Sequence, residues 1–432
     1  MCYRVSMNRL LGFSALLLAG SALAEPVTLE RLQKLPTTEQ AAWVAYLKGS
    51  QTNALADVAA VQAEVVAHKM TNALKAPNGG NFKLSAKMDN VWYALDEAKR
   101  LADVVLSYQT PSGGWSKHTG YSNGVRQSGM QWTSQNEPGQ GAHYVATFDN
   151  GATTEEMCFL AAVWHATKRE DCQAGFIKGL NFILAAQFPN GGWPQVYPLE
   201  GGYHDNITFN DDAMTRILDL LQGITRNEPY YAFVDEALRQ KAATALARGI
   251  QCVLKTQVEQ AGKKTVWCAQ HDALTLQPAA ARKLEPVTLS GLESAHLLYF
   301  LMSITNPPPE IIVAIESGLS WFDQAKITNL TKAKREGKTV YEPSTNSTEI
   351  YWARFYNLTN SQPVFPGRDG IAYDSYAAMA SSNKLGYDFF TTQPGSIVTT
   401  AQKKWRKLLA GSAKKPKSES NQSTNQSVII KL

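Results

Sequence analysis

Four stretches of this sequence combine acidic, amide and basic side chains that could hold a cation against an anionic ligand. The first carries Lys117, His118, Asp149 and Asn150, and the second His204, Asp205, Asp211 and Asp212. The third carries His271, Asp272 and Arg282, and the fourth Arg354, Arg368 and Asp369. Asp and Asn oxygens suit a hard cation such as Ca²⁺, and no His/Cys cluster suited to zinc accompanies them. Arginines facing such a cluster would grip a carboxylate-bearing ligand bidentately. Each piece also has an ordinary reading. Asn210 and Asp211 fit plain helix N-caps, Asp149-Asn150-Gly151 a simple turn, and Arg282 and Arg368 solvated charges. A carboxylate pair such as Asp149 and Asp211 would equally serve a glycoside hydrolase as acid and base. The chain holds no EF-hand loop, P-loop, G-x-S-x-G or dinucleotide fingerprint.

The elements that must bring these stretches together are helical. Apolar residues at i, i+3, i+4 and i+7, as in Ile217, Leu220, Leu221 and Ile224, predict helices over Val91–Tyr108, Thr153–Thr167, Asp171–Gln187, Asn210–Arg226, Phe233–Thr256, Ser290–Met302 and Pro309–Ala325. Thr153 before Glu155-Glu156 and Ser290 with Glu293 read as helix starts. Three connections are short (Lys168–Glu170, Asn227–Tyr231 and Ser303–Pro308). Four are long (Gln109–Ala152, Phe188–Phe209, Gln257–Leu289 and Lys326–Tyr373), and short and long alternate. With antiparallel neighbours, every long loop then falls at one end, which predicts an all-α fold of three successive hairpins, an (α/α)₃ toroid. An internal repeat agrees with this. Gln109 and Trp115 in QTPSGGW recur as Gln187 and Trp193 in QFPNGGW, 78 residues later, with a looser copy from Gln257 to Trp267. The default role of these Gln and Trp side chains is to cap helix ends and pack the loops, ahead of sugar stacking.

Composition narrows the class. The net charge of +5 is carried by Arg4 and Arg9 near the start and by Lys414, Lys415, Lys417 and Lys431 against Glu419 at the end. The body between them is neutral, which argues against a nucleic-acid partner. Residues 1–24 read as an export signal: Met7 and Arg9, then apolar Leu10–Ala19, then Ala22-Leu23-Ala24 as a cleavage site. The mature chain would start at Glu25 and leave the cytoplasm as a soluble monomer without a membrane anchor. Cys158, Cys172, Cys252 and Cys268 would survive processing, so two disulfides are possible in an oxidising compartment. Residues 25–90 are expected to form a helical extension, with Glu25–Met70 as two amphipathic helices packed outside the ring. Residues 91–410 form the main domain, and 411–432 a disordered polar and basic tail.

Several long segments resemble the family 10 polysaccharide lyases, which are pectate lyases. They are GGWSK (Gly113–Lys117), FDNGATTEEM (Phe148–Met157), GGWPQVYPLEGGYHDNITFNDDAMTRILDLL (Gly191–Leu221), WCAQHDALTLQPAAARKLE (Trp267–Glu285), and WARFYNL with FPGRDG (Trp352–Gly370). The resemblance spans about Trp92 to Leu409 and all four long loops. It implies a calcium-dependent enzyme that cleaves polygalacturonate by anti β-elimination. By motif position it implies Asp149, Asn150 and Asp211 as calcium ligands and Arg282 as the base that removes the C5 proton. It implies Arg368 as a clamp on a substrate carboxylate, with Lys117 and Thr215 as further substrate contacts; Arg354, in WARFYNL, joins this substrate-facing set. The rival readings are a hydrolase using Asp149 and Asp211, a polysaccharide-binding protein without catalysis, and a terpene-cyclase-like ring. Export and the polar cluster disfavour the last.

Overall fold

The computed structural model describes residues 25–83, 88–134, 136–137, 141–142, 145–335, 338–382, 384–385 and 388–413. The leader at 1–24 and the tail from 414 lie outside the described residues. The predicted periodicity is realised in α2 (Asp96–Ser107), α3 (Thr154–Thr167), α4 (Glu170–Ala186), α5 (Ala213–Thr225), α6 (Glu236–Thr256), α7 (Glu293–Met302) and α8 (Pro309–Gln324), which follow α1 (Thr37–Ala67). The hairpins α3/α4, α5/α6 and α7/α8 pack pairwise, as the short turns require. Between hairpins, α3 meets α5 and α5 meets α7, while α2, α4, α6 and α8 form a second row in the same order. The first row is the more deeply buried: from Ala213 to Ile224, α5 leaves only Arg216 and Asp219 short of full burial. Strands are confined to short antiparallel pairs, the longest being β1 (Leu330–Arg335) with β2 (Lys338–Pro343).

One device closes each of the first three long loops. The side-chain amide of Gln109 donates to the carbonyl of Gly113 in its own loop (2.8 Å) and to Gly175 in the next helix of the second row (2.8 Å). Gln187 does the same with Gly191 and Ala245, and Gln257 with Thr265 and Ala314. The indole N–H groups of Trp115, Trp193 and Trp267 turn back to the last turn of the preceding helix, donating to the carbonyls of Val105, Ile183 and Val253 at 2.7–2.8 Å. Trp352 repeats the contact with Phe322 in the fourth loop. These carbonyls lie in the last turns of their helices, where regular backbone partners run out; Val105 also accepts from Tyr108 N and Val253 from the Thr256 hydroxyl. Each such bond contributes about 1 kcal/mol net. All four tryptophans are at most 1 % exposed, so they are structural and offer no face to a sugar. The first glycine of each GGW is equally constrained. Gly113 and Gly191 have φ of 116° and 99°, and an added Cβ would stand 2.6 and 2.2 Å from the carbonyl oxygens of Lys178 and Arg248.

The N-terminal region departs from expectation. In place of two amphipathic helices there is a single turn, Leu29–Leu32, and the 31-residue α1. Its buried side is a narrow stripe, Trp43, Ser50, Asp57, Val61 and Val65, whose polar members bind loop backbone. Ser50 accepts from the Leu199 amide, and Asp57 accepts from the amide and hydroxyl of Ser112. The stripe is partly polar because its partners are loops rather than an apolar helix face, and that hid it from a periodicity argument. The two disulfides that the sequence allowed are not formed among the described residues: all four described cysteines are free. Cys172, Cys252 and Cys268 are buried as small apolar side chains, and burial pushes the Cys158, Cys172 and Cys252 thiols up to about 12. The Ser290–Glu293 capping box is also replaced. Ser290 bonds the Glu293 carboxylate, and α7 begins at Glu293 itself. At the other end, α9 (Gln402–Ala413) runs on through the first residues assigned to the tail.

Glu156, 1 % exposed in α3, accepts from the Tyr121 hydroxyl at 3.0 Å and thereby ties the first long loop to the core. Burial raises its carboxyl from 4.5 to about 8. Between those values the folded chain binds more protons than the unfolded one, so stability falls as pH rises, by at most ~1.4 kcal/mol per pH unit. Glu156→Gln removes this dependence. Thermal melts should show its Tm gaining on the parent's from about pH 5 to about pH 8, and a constant difference would refute the assignment.

Candidate active site

Each long loop leaves its tryptophan and returns to the next first-row helix through the same backbone bonds. The carbonyl of Trp115 accepts from Thr147 N, that of Trp193 from Thr208 N and that of Trp267 from Ser290 N. The following residues pair with the next loop: Phe148 N with the Gln195 carbonyl, Phe209 N with Ala269 and Gly291 N with Arg354. This superimposes Phe148-Asp149-Asn150-Gly151-Ala152 on Phe209-Asn210-Asp211-Asp212-Ala213. The backbone repeats as well. Asn150 and Asp211 have φ of 56° and 51°, and Gly151 and Asp212 have φ of 82° and 62°. The left-handed region disfavours most L-residues by about 1–2 kcal/mol and is tolerated best by Gly, Asn and Asp. The repeated F-[DN]-[ND]-x-A pattern was a readable signal of this turn that the helical reading passed over. Neither turn caps its helix with a side chain, so the N-cap reading of Asn210 and Asp211 fails.

The two turns pack against each other beside a small cleft of about 70 Å³. Lys117, Asp149 and Asn150 line it from the first loop, Asn210 and Asp211 from the second turn, and Arg282 with Glu285 from the third loop. Gln195, Tyr203 and Gln270 complete it. Of the residues picked out by sequence, Lys117, Asp149, Asn150, Asp211 and Arg282 therefore converge. Gln195, Tyr203, Gln270 and Glu285 escaped a search for charged motifs, although Tyr203 and Gln270 adjoin His204 and His271 and Glu285 lies in PAAARKLE with Arg282.

The others lie elsewhere. Arg354 sits one layer back, donating to Asn210 Oδ1 at 3.2 Å and standing 3.5 Å from Glu293. Thr215 is buried in the first turn of α5 with its hydroxyl oxygen unpaired. Arg368 does not line the cleft. It is exposed and bonds the Leu385 carbonyl, although its turn packs on the Arg282 loop, where a Cβ on Gly370 would lie 3.3 Å from Lys283 Cβ. Asp369 bonds its own turn and Tyr373. His271 and Asp205 are structural: the ring bonds the Leu276 carbonyl, and the carboxylate accepts from Val27 N and Gly201 N. Asp272 pairs with Arg31 at 2.5 Å, so the N-terminal segment ties down both loops. Asp212 turns away to His296, 2.8 Å distant. His118 is pushed below its ordinary pKa by burial and then by Lys117.

The charges in the cleft are unbalanced. Asp149 is 4 % exposed; one oxygen accepts from the Lys117 ammonium, and the other is buried without a partner. Burial, then the Asp149 and Glu293 carboxylates, push Asp211 up to about 6, with Arg354 opposing. Two desolvated carboxylates facing each other call for positive charge between them. Among the described residues no three His, Cys, Asp or Glu side chains converge on one point. A cation would therefore be held by two carboxylates and the Asn150 amide oxygen, with water or ligand oxygens completing its shell. That oxygen-only set fits Ca²⁺.

Residues 109–398 match the family model described as pectic acid lyase. The chain belongs to this family. Two solved structures of a family 10 polysaccharide lyase from Cellvibrio cellulosa are similar to it, each with 34% identity and a TM-score of 0.62. One covers 75% of this chain and 98% of its own length. The other, an aspartate-to-alanine mutant in complex with trigalacturonic acid, covers 72% and 96%. A search of curated proteins finds no match. The chain is thus a pectate lyase of the family 10 type, as the motif resemblance implied. Among the described residues no helix is long and apolar enough to cross a membrane.

Asp149→Asn removes the charge that helps keep Asp211 protonated. In the absence of divalent cations, NMR titration should show the Asp211 carboxyl falling from about 6 towards the ordinary range, while burial still holds it above. An unmoved titration would mean that burial alone sets it.

Proposed function

We propose that this lyase cleaves α-1,4-linked polygalacturonate by anti β-elimination with Ca²⁺ held by Asp149, Asn150 and Asp211. The products would be 4,5-unsaturated oligogalacturonides, released outside the cytoplasm after export through the 1–24 leader. The hairpins are read as an (α/α)₃ toroid presenting its long loops at one end, with 91–410 as catalytic domain and 25–90 as an extension bracing it. The carrying observation is the unpaired, buried Asp149 oxygen beside Asp211 and Arg282 in one cleft. The trigalacturonic acid bound by the Cellvibrio relative supports a polyuronate substrate.

The chemistry follows from the charges. The C5 proton lies alpha to a uronate carboxylate, so removing it builds negative charge on a group that is already anionic. Asp149, Asn150 and Asp211 would hold Ca²⁺ at the two turns, and its positive charge would offset that build-up. Arg282, half exposed at the cleft edge, takes the C5 proton. The electron pair left behind forms the C4=C5 double bond as the C4–O bond breaks, and the departing oxygen keeps that bond's pair and takes a proton from solvent. Lys117 reaches the same cleft and binds the uronate; Thr215 and Arg354 support the substrate subsite from behind the Asn210–Asp212 turn, and Arg368 clamps a neighbouring uronate from the rim.

Purified protein acting on polygalacturonate should generate the ultraviolet absorbance of the unsaturated uronide. EDTA should abolish the signal and Ca²⁺ restore it; chain shortening without that chromophore would instead identify a hydrolase. Arg282→Ala should fold normally and lose ~10²–10⁴-fold in kcat, the usual worth of a positioned acid or base. Near-parental turnover would remove Arg282 as the base.

A further inference from the structure

An arginine that accepts a proton must first be neutral, yet Arg282 meets a carboxylate head-on. Its Nε donates to Glu285 Oε2 and its Nη2 to Glu285 Oε1, both at 2.8 Å, and its backbone N–H donates to Oε2 at 3.2 Å. The turn is closed by Glu285 N to the Arg282 carbonyl at 2.7 Å and by Ala281 N to the Glu285 carbonyl at 3.0 Å. Glu285 is 7 % exposed, whereas the Arg282 side chain is 49 % exposed. Both line the cleft with Asp149 and Asp211. A fork-to-fork pair fixes the plane of the guanidinium, and the facing negative charge favours its protonated form.

We propose that Glu285 is a positioning residue for the elimination: it aligns Arg282 in the cleft and sets the pH above which Arg282 can act as base. The inference rests on Arg282 being that base. The other charges around Arg282 are Lys117 and Asp149 from the first loop, Asp211 from the second turn, Lys283 on its own loop, and Arg368 in the turn packed on Lys283. All of them persist when Glu285 is changed; because the Glu285 charge also raises Asp211, the limb is read at saturating Ca²⁺. A plain turn-stabilising contact would alter stability and leave the pH dependence alone.

The test is the pH profile of kcat/KM on polygalacturonate at saturating Ca²⁺ for the parent, Glu285→Gln and Glu285→Asp. Glu285→Gln keeps the shape and removes the charge, so the rising alkaline limb should move down by about one pH unit or more. Glu285→Asp keeps the charge and shortens the reach. Its limb should stay near the parent's while kcat falls about tenfold through misalignment, with KM little changed. A limb in Glu285→Gln that coincides with the parent's overturns the proposal, as does one shifted equally in both variants. Arg282→Ala separates the two readings. If it is inactive while the Glu285→Gln limb is unmoved, the base assignment stands and the role of Glu285 falls. If it remains active, both fall. Should Glu285→Gln fail to fold, the Glu285→Asp profile still decides, because a shifted limb with the charge retained contradicts the proposal.

Discussion

Everything at this site depends on how the ends of the second-row helices are closed. A helix end buried beneath a long loop presents carbonyls that water cannot reach; the Trp side chains of the repeat donate to them from within the loop, and the Gln side chains tie the loop to the neighbouring helix. With its first residues pinned, each loop must return along a fixed path. The backbone bond from the tryptophan carbonyl to Thr147, Thr208 or Ser290 then delivers the chain to the next helix in one register. Asp149 and Asp211 face each other because two successive loops obey the same closure.

The closure also explains why a charged cluster can be so poorly solvated. Asp149 and Asp211 sit on turns backed by Phe148 and Phe209, both fully buried, so their carboxylates have little water to share. The basic side chains are arranged around them in a graded way. Lys117 touches Asp149, Arg354 stands one layer behind through Asn210, and Arg282 is held off by Glu285. Positive charge is thus present in quantity, but most of it is committed elsewhere, and the pair keeps its appetite for a cation.

Much of this was legible in the sequence. Periodicity located the main helices to within a few residues, and the alternation of short and long connections identified which loops share an end. The motifs around Asp149, Asp211 and Arg282 pointed to residues that do converge. What stayed hidden was set by tertiary contacts. Arg368 looks equivalent to Arg282 on composition, yet it stands outside the cleft with its Nε–H on the Leu385 carbonyl. The long α1 helix binds loops through Ser50 and Asp57, polar residues that an apolar-face search discards. Four cysteines in the body of the chain allowed two disulfides, but Cys172, Cys252 and Cys268 are buried as small apolar side chains, Cys158 is half-buried, and all four are free. Gln195 and Gln270 carry no charge and belong to no motif that singles them out, so only the folded chain brings them to the cleft.

The paired left-handed turns have an evolutionary consequence. At positions 150 and 211 the backbone admits glycine at least as readily as asparagine or aspartate, whereas the calcium site proposed above needs a side-chain oxygen. Selection for the fold alone would therefore let both sites decay to glycine with a small gain in backbone comfort, and most other residues would be purged for either reason. Gly151, the counterpart of Asp212, already shows the relaxed form. A descendant that kept this architecture but abandoned its chemistry would carry that history openly, with glycines accumulating at 150 and 211 while Gln109, Gln187 and the buried tryptophans stayed in place.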